Sequence, residues 1–233
     1  MNSKQPHLPP SAQSVLVWDL PTRIFHWIFA ASVIGALACA LIGGDAMSWH
    51  MRFGYTALTL AAFRLLWGFV GPRYARFASF PPRPFVAFRY LRDGARQAFT
   101  GHNPAGALSV YAILGSVSLQ AVTGLFANDD VLWSGPLSAL VSNKIVVLAT
   151  QLHQLNGNLI YLLVLLHLGA IAFHGLVRHE PLIKAMIHGK RERSASQAST
   201  CEPDARDGRS VRLLALTLFA VCSLATWFIS ALG

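Results

Sequence analysis

Long apolar runs alternate with short polar segments along most of the chain. Five of the runs approach or exceed the roughly 20 mostly apolar residues that a helix needs to cross a bilayer. They are residues 21–42, 50–70, 105–126, 151–177 and 211–232. A sixth run, 131–150, is interrupted by Gly135, Pro136, Asn143 and Lys144. We interpret it as an interfacial loop with at most a short helix.

The positions of the basic residues favour five spans over six. With five spans and the amino terminus inside, all but Arg52 and Lys144 of the 19 Lys and Arg residues lie on the inner side or at inner helix ends. A sixth span would export one of the two basic loops, 71–104 or 178–210, against the preference of basic loops for the cytoplasm. The pattern therefore predicts a multi-pass protein with a cytoplasmic amino terminus.

Composition agrees with this topology. The chain is 54% hydrophobic and only 12% charged, which is typical of an all-α membrane protein and not of a soluble domain. The formal net charge of +9 falls between apolar runs, so it predicts contact with membrane lipid and no nucleic acid. The three cysteines form no C-x-x-C-H motif, so any haem is expected to be held by coordination alone.

The chain divides into four predicted parts. Residues 1–14 form a polar tail, and residues 15–191 contain the first four spans. Residues 192–210 are rich in Ser, Ala and charge, which predicts a flexible linker. Residues 211–233 form an additional transmembrane helix that carries no histidine.

Four histidines fall near the ends or within the hydrophobic part of three spans, where an ionisable side chain is a functional candidate by default. With the predicted topology, His50 and His153 lie near the outer face, and His26 and His167 lie toward the inner face. His153 and His167 are 14 residues apart, so on one helix they point within ~40° of each other and lie ~21 Å apart. We call His50 and His153 the outer pair, and His26 and His167 the inner pair. Each pair could hold one haem between two imidazoles, which suits electron transfer.

His174 is an alternative inner ligand, because it lies seven residues after His167 and therefore on nearly the same helix face. A separation of ~32 Å from His153 would place the two haems at the extreme edges of a ~30 Å core. The spacing alone favours His167 without excluding His174.

Several short motifs together resemble one known family. They are Val17-Trp18-Asp19-Leu20-Pro21-Thr22-Arg23-Ile24-Phe25-His26-Trp27, Gly54-Tyr55, Arg64-Leu65-Leu66-Trp67-Gly68, Gly101-His102-Asn103-Pro104-Ala105-Gly106, Thr123-Gly124-Leu125-Phe126, the His153/His167 spacing and Ala185-Met186-Ile187-His188-Gly189-Lys190. As an ensemble, over residues 15–191, they resemble the prokaryotic cytochrome b561 proteins, a family that includes b-type subunits of nickel-iron hydrogenases.

The resemblance implies a four-helix haem-binding transmembrane bundle, to which this chain adds a fifth, C-terminal transmembrane helix. It implies haem b, two per chain, with His26, His50, His153 and His167 as iron ligands, and it favours His167 over His174. It also implies a place in the bacterial inner membrane, where such proteins exchange electrons with quinone. Partners of this type are a periplasmic c-type cytochrome or a hydrogenase, and nothing in the chain identifies a hydrogenase contact.

Other polar residues near the predicted sites have two interpretations each. Arg52 and Arg23 lie close in sequence to His50 and His26, where a guanidinium could pair with a haem propionate or simply reach toward the membrane surface. Arg64 also has two interpretations: it could contact haem or quinone, or its side chain could reach toward the membrane surface. His102 and Asn103 could contact a quinone head group, although Asn before Pro104 is more typical of a helix start.

Two further functions remain as alternatives to electron relay. A transporter or proton-relay protein could use the same histidines, but such a protein usually has acidic residues at the midplane, and this chain has none there. A superoxide:quinone oxidoreductase within the same family would carry the same ligands. The main prediction is a membrane cytochrome that relays electrons between a periplasmic partner and the quinone pool.

Overall fold

The computed structural model describes residues 14–94, 99–192 and 204–232. In these residues the chain forms seven α-helices and two short strands. The elements are β1 (Ser14–Leu16), α1 (Leu20–Ile42), α2 (Met47–Val70), α3 (Pro84–Arg92), α4 (Pro104–Gly124), α5 (Asn143–Leu176), α6 (Leu182–His188), β2 (Lys190–Glu192) and α7 (Arg209–Ser230).

Five of the helices are long and apolar enough to cross a membrane. They are α1, α2 with its preceding turn from Gly44, α4, α5 and α7. The predicted all-α membrane protein with four spans and an additional C-terminal span is therefore confirmed in its fold class. Two helix starts follow directly from the sequence, because the side chains of Asp19 and Asn103 accept hydrogen bonds from the backbone N–H groups of Thr22 and Gly106.

The prediction for the run 131–150 is wrong at its carboxyl end. Helix α5 begins at Asn143 and continues for 34 residues, about 51 Å at 1.5 Å per residue. Asn143 and Lys144 do not interrupt a helix, because they lie in its first turn, where polar side chains reach solvent easily. The residues before them form a loop, as predicted, with one short turn at Ser138–Leu140.

The core cluster lies mainly between α1, α2 and α4, and it includes Ile160 of α5 and Ala215 and Cys222 of α7, a helix that packs against α2. Trp67 on α2 is fully buried, and Phe25, Leu60 and Leu114 lie around it in the same cluster. Helix α5 packs against α4 and exposes a row of leucines, which are expected to face lipid in a membrane-spanning helix: Leu155, Leu159, Leu162, Leu165 and Leu166.

A small sheet lies at the end of the molecule where α1 begins. Strand β1 pairs antiparallel with β2, with Ser14 opposite Glu192. On its other side, Leu16 accepts a hydrogen bond at its carbonyl from the N–H of Ala205 at 2.7 Å. Most of the predicted linker, residues 193–203, lies outside the described residues, and the division into tail, bundle, linker and additional helix stays a prediction.

Candidate functional site

The two histidines of the outer pair face each other. His50 lies in the first turn of α2 and His153 lies in the third turn of α5. Their ring centroids are 6.0 Å apart and the ring planes cross at 77°. The sequence predicted this pairing from depth alone, and the structure brings the two rings together.

A cavity of about 530 Å³ opens beside the outer pair, between α1, α2, α4 and α5. This volume is within the usual range for small-molecule and cofactor sites, about 300–1,000 Å³. Its walls are mostly apolar side chains from the four helices, with Tyr55 and Tyr161 among them.

Two glycines widen this cavity at the level of the histidines. Gly54 follows His50 by four residues and Gly157 follows His153 by four residues, so each glycine lies on the same helix face as its histidine, one turn further along the chain. A Cβ atom at Gly54 would meet no atom within 4 Å, and one at Gly157 would lie 3.6 Å from the side-chain nitrogen of Gln120. The recurring His-x-x-x-Gly pattern was visible in the sequence, but our sequence reasoning missed it.

Backbone carbonyls fix the orientation of both outer imidazoles. The Nδ1 atom of His50 lies 2.9 Å from the carbonyl oxygen of Ala36, and that of His153 lies 3.0 Å from the carbonyl oxygen of Gln120. A carbonyl can only accept, so in each neutral ring Nδ1 carries the hydrogen and Nε2 has a free lone pair. This is the tautomer in which a histidine binds a metal ion through Nε2.

A buried polar network holds His153 against α4. The side chain of Gln120 donates to the backbone carbonyl of His153 at 3.0 Å and accepts from Asn156 at 2.7 Å. Asn156 also exchanges two hydrogen bonds with Ser116, donating to its carbonyl and accepting from its hydroxyl. The level at which α5 presents His153 is therefore set by side chains of α4.

His26 on α1 and His167 on α5, the inner pair, lie within electrostatic range of each other. The Nδ1 atom of His167 lies 3.2 Å from the hydroxyl of Ser109 on α4. The Nδ1 atom of His26 is buried, and among the described residues no atom forms a hydrogen bond with it. Such an orphaned buried nitrogen fits a ring that has a further partner.

His174, the alternative inner ligand, belongs to a different group of side chains. It is buried, and its Nδ1 atom lies 3.6 Å from a carboxylate oxygen of Glu180. Glu180 also accepts from Arg191 at 2.8 Å. The Nδ1 atom of His174, like that of His26, has no hydrogen-bond partner in the described residues. The choice of His167 over His174 as the inner ligand stays a prediction.

The two predicted arginines contact protein groups. The guanidinium of Arg52 lies over the ring of Trp49, 4.7 Å from its centroid, and the side chain is exposed. Arg23 donates from Nη1 to the carbonyl of Ile187 at 2.6 Å. The Nε atom of Arg23 is buried and finds no hydrogen-bond partner among the described residues. A role of either arginine at a propionate stays a prediction.

His102 is partly buried, with a fully buried Nδ1 atom, and it packs against aromatic side chains. Its ring lies between Trp18 and Phe80, with centroid distances of 4.7 Å and 4.2 Å. Burial, together with the charge of nearby Arg64, lowers the pKa of His102 to about 3. Its neighbour Asn103 caps α4, as the sequence indicated.

The ring separation of the outer pair is the one expected if both imidazoles bound a single iron ion. Two metal–nitrogen bonds of about 2 Å each, with about 1 Å from each nitrogen to its ring centre, add to about 6 Å, which matches the observed separation of 6.0 Å. Within residues 14–94, 99–192 and 204–232, no group of three or more His, Cys, Asp or Glu side chains is placed to hold a metal ion. A haem needs only two protein ligands, because the porphyrin supplies the others.

Fold and site together define a multi-pass helical membrane protein with facing histidines beside an apolar cavity. A family model described as prokaryotic cytochrome b561 matches residues 17–189. The chain belongs to this family. It is therefore a membrane cytochrome of the b type that takes part in electron transfer, and its cofactor is haem b.

A curated relative supports the same assignment at low identity. The chain is 24% identical over 214 residues to a protein named "Probable Ni/Fe-hydrogenase B-type cytochrome subunit" from Azotobacter chroococcum mcd 1. The match covers 76% of this chain and 88% of that protein.

Proposed function

We propose that this protein binds two b haems and relays single electrons across the bacterial inner membrane. His50 and His153 hold the outer haem, and His26 and His167 hold the inner haem. The observation that carries the proposal is the separation of 6.0 Å between the rings of His50 and His153, with both Nδ1 atoms on backbone carbonyls.

A haem held by His50 and His153, or by His26 and His167, would supply one-electron chemistry, and a site with two imidazole ligands would bind no substrate at the iron. The protein holds the ligand side chains in fixed orientations and surrounds the site with apolar residues. Ala36 and Gln120 hold the outer rings in one tautomer through their carbonyls, so little side-chain rearrangement is needed when the charge at the site changes. The mostly apolar walls of the cavity disfavour water in the same region.

The arginines near the two sites suit the propionates that a haem carries. Arg52 lies two residues after His50 and is exposed at the outer end of α2. Arg23 lies three residues before His26 and has a buried Nε atom with no hydrogen-bond partner in the described residues. We assign both to propionate binding, since a guanidinium pairs with a carboxylate through two parallel hydrogen bonds.

The distribution of basic residues supports an orientation in the membrane, and the family supports the redox partners. Basic loops on one side favour a cytoplasmic amino terminus and place the outer pair near the periplasm. A periplasmic redox protein, either a hydrogenase or a c-type cytochrome, would then exchange electrons at the outer haem. The hydrogenase is supported by the name of the relative from Azotobacter chroococcum. Membrane quinone is the proposed partner on the other side of the relay.

The decisive measurement is haem stoichiometry of the purified protein by pyridine haemochrome, with a reduced-minus-oxidised spectrum. We expect two haems per chain. His50→Ala and His153→Ala should each lower this to one and spare the same remaining haem. His26→Ala and His167→Ala should remove the other one. His188→Ala is the matched control, because His188 is exposed and should leave both haems in place.

Electron exchange with quinone is a separate measurement. The dithionite-reduced protein should be reoxidised by decylubiquinone under anaerobic conditions, and the variants with one haem should lose most of this rate. A folded but colourless wild-type protein would refute the haem assignment. A haem-loaded protein that no quinone reoxidises would refute the quinone partner alone.

A further inference from the structure

Helix α3 exposes an apolar face that no other part of the described chain covers. The helix connects the inner ends of α2 and α4, and it packs against α4. Ala87 and Tyr90 form its buried side. On the other sides, Phe85, Phe88 and Leu91 are 69%, 64% and 57% exposed. Three large apolar side chains on a nine-residue helix form a patch of the kind that marks an interaction surface.

The same helix carries a high density of positive charge. Arg83, Arg89 and Arg92 are all exposed, and the guanidinium of Arg89 lies 5.1 Å from the ring centroid of Phe85. In the part of the chain that the structure describes, Asp93 offsets them in part, through an exposed ion pair with Arg92 at 3.2 Å. Two more arginines, Arg73 and Arg76, lie in the turns that precede α3. The face therefore combines aromatic residues with guanidinium groups.

The position of α3 along the chain brings this face to the membrane boundary. Helix α2 ends at Val70 and α4 begins at Pro104, so the intervening segment lies at one end of the bundle. The last turn of α2 exposes Phe69 and Val70, at 72% and 55%, and such side chains at the end of a span face lipid. The apolar face of α3 belongs to the connecting segment that begins after this lipid-facing end of α2.

We propose that α3 lies in the inner lipid–water interface and binds anionic phospholipid. Phe85, Phe88 and Leu91 enter the boundary between head groups and acyl chains, as the apolar face of an interfacial helix does. Arg83, Arg89 and Arg92 contact the lipid phosphates, since a guanidinium binds phosphate through paired hydrogen bonds. Each basic residue near an anionic surface strengthens binding by about fivefold. This lipid contact is independent of the haem ligands.

Hydrogen–deuterium exchange of the full-length protein in nanodiscs tests whether the arginines of α3 bind anionic lipid. We expect the amides of residues 84–92 to exchange at least fivefold more slowly in discs containing phosphatidylglycerol than in discs of phosphatidylcholine alone. The combined variant Arg83→Gln, Arg89→Gln and Arg92→Gln should lose this difference. The matched control removes three exposed positive charges elsewhere on the inner side, with Lys184→Gln, Lys190→Gln and Arg206→Gln, and should keep it.

The depth at which α3 inserts into the membrane is tested by tryptophan fluorescence. The variant is Phe88→Trp, and the quenchers are lipids brominated near the start of the acyl chain. The fluorescence that this variant adds to wild type should be quenched by brominated lipid and protected from iodide. The proposal is overturned if the added fluorescence is quenched by iodide only, or if exchange at α3 does not respond to phosphatidylglycerol. It is also overturned if protection follows protein concentration and dimer formation, because a second copy would then cover the face.

Discussion

Asn156 offers a sharp test of how the bundle positions the outer pair. The side chain is buried on α5 and makes three hydrogen bonds to α4, two with Ser116 and one with Gln120, at 2.7–2.9 Å. A hydrogen bond between membrane helices contributes about 0.6 kcal/mol on average, with a maximum near 1.7. Asn156→Ala should therefore lower the free energy of unfolding by about 2 kcal/mol. It should also loosen His153, because Gln120 loses its side-chain donor.

The assay is equilibrium unfolding of the haem-loaded protein in mixed micelles with increasing sodium dodecyl sulfate. Gln151→Ala is the matched control, since Gln151 is exposed on the same helix and should change stability by less than about 0.5 kcal/mol. A second measurement follows the low-temperature electron paramagnetic resonance spectrum, where only one of the two haem signals should shift. An Asn156→Ala variant as stable as Gln151→Ala, with both signals unchanged, would refute the reasoning.

Three further substitutions test other parts of the site. Gly157→Leu should fill the cavity and remove the outer haem in the pyridine haemochrome assay, whereas Gly169→Leu, at an exposed position on the same helix, should retain both haems. His174→Gln should keep two haems per chain if His167 is the inner ligand as proposed, and loss of one haem would make His174 the ligand instead. His102 has a folded pKa of about 3, below its ordinary 6.5, so the unfolded chain takes up the proton first and stability falls as pH drops below about 6.5. The slope is at most about 1.4 kcal/mol per pH unit, and His102→Leu should flatten it in thermal unfolding measured from pH 7 to pH 5.

The five spans were predictable because their signal is strong and local. Apolar length alone identifies a membrane helix, and the distribution of basic residues decides between five and six. The start of α5 was missed for a physical reason. Asn143 and Lys144 were read as breaks, but polar residues at a helix start can extend a span beyond the hydrocarbon core at little cost.

The candidate site was only partly predictable. The predicted depth in the membrane paired His50 with His153, since a topology fixes how far each residue lies from the membrane surface. Depth does not indicate which groups orient each ring, so the sequence could not predict the hydrogen bonds to the backbone carbonyls of Ala36 and Gln120. The contacts of His174 with Glu180 and of β1 with β2 depend on long-range pairings that no local pattern encodes.

The packing of the helices explains why a cofactor-sized space can persist in so small a bundle. Helices α1 and α2 pack closely as one pair, and α4 and α5 pack closely as another. The cavity lies where these pairs meet, and the hydroxyl of Tyr161 crosses to the carbonyl of Leu37 at 3.1 Å. Side-chain networks within the second pair, and backbone carbonyls behind each outer histidine, keep both walls in place. A site built this way separates the task of holding the helices from the task of binding the cofactor, so Gly157→Leu should remove a haem while Asn156→Ala should weaken the fold.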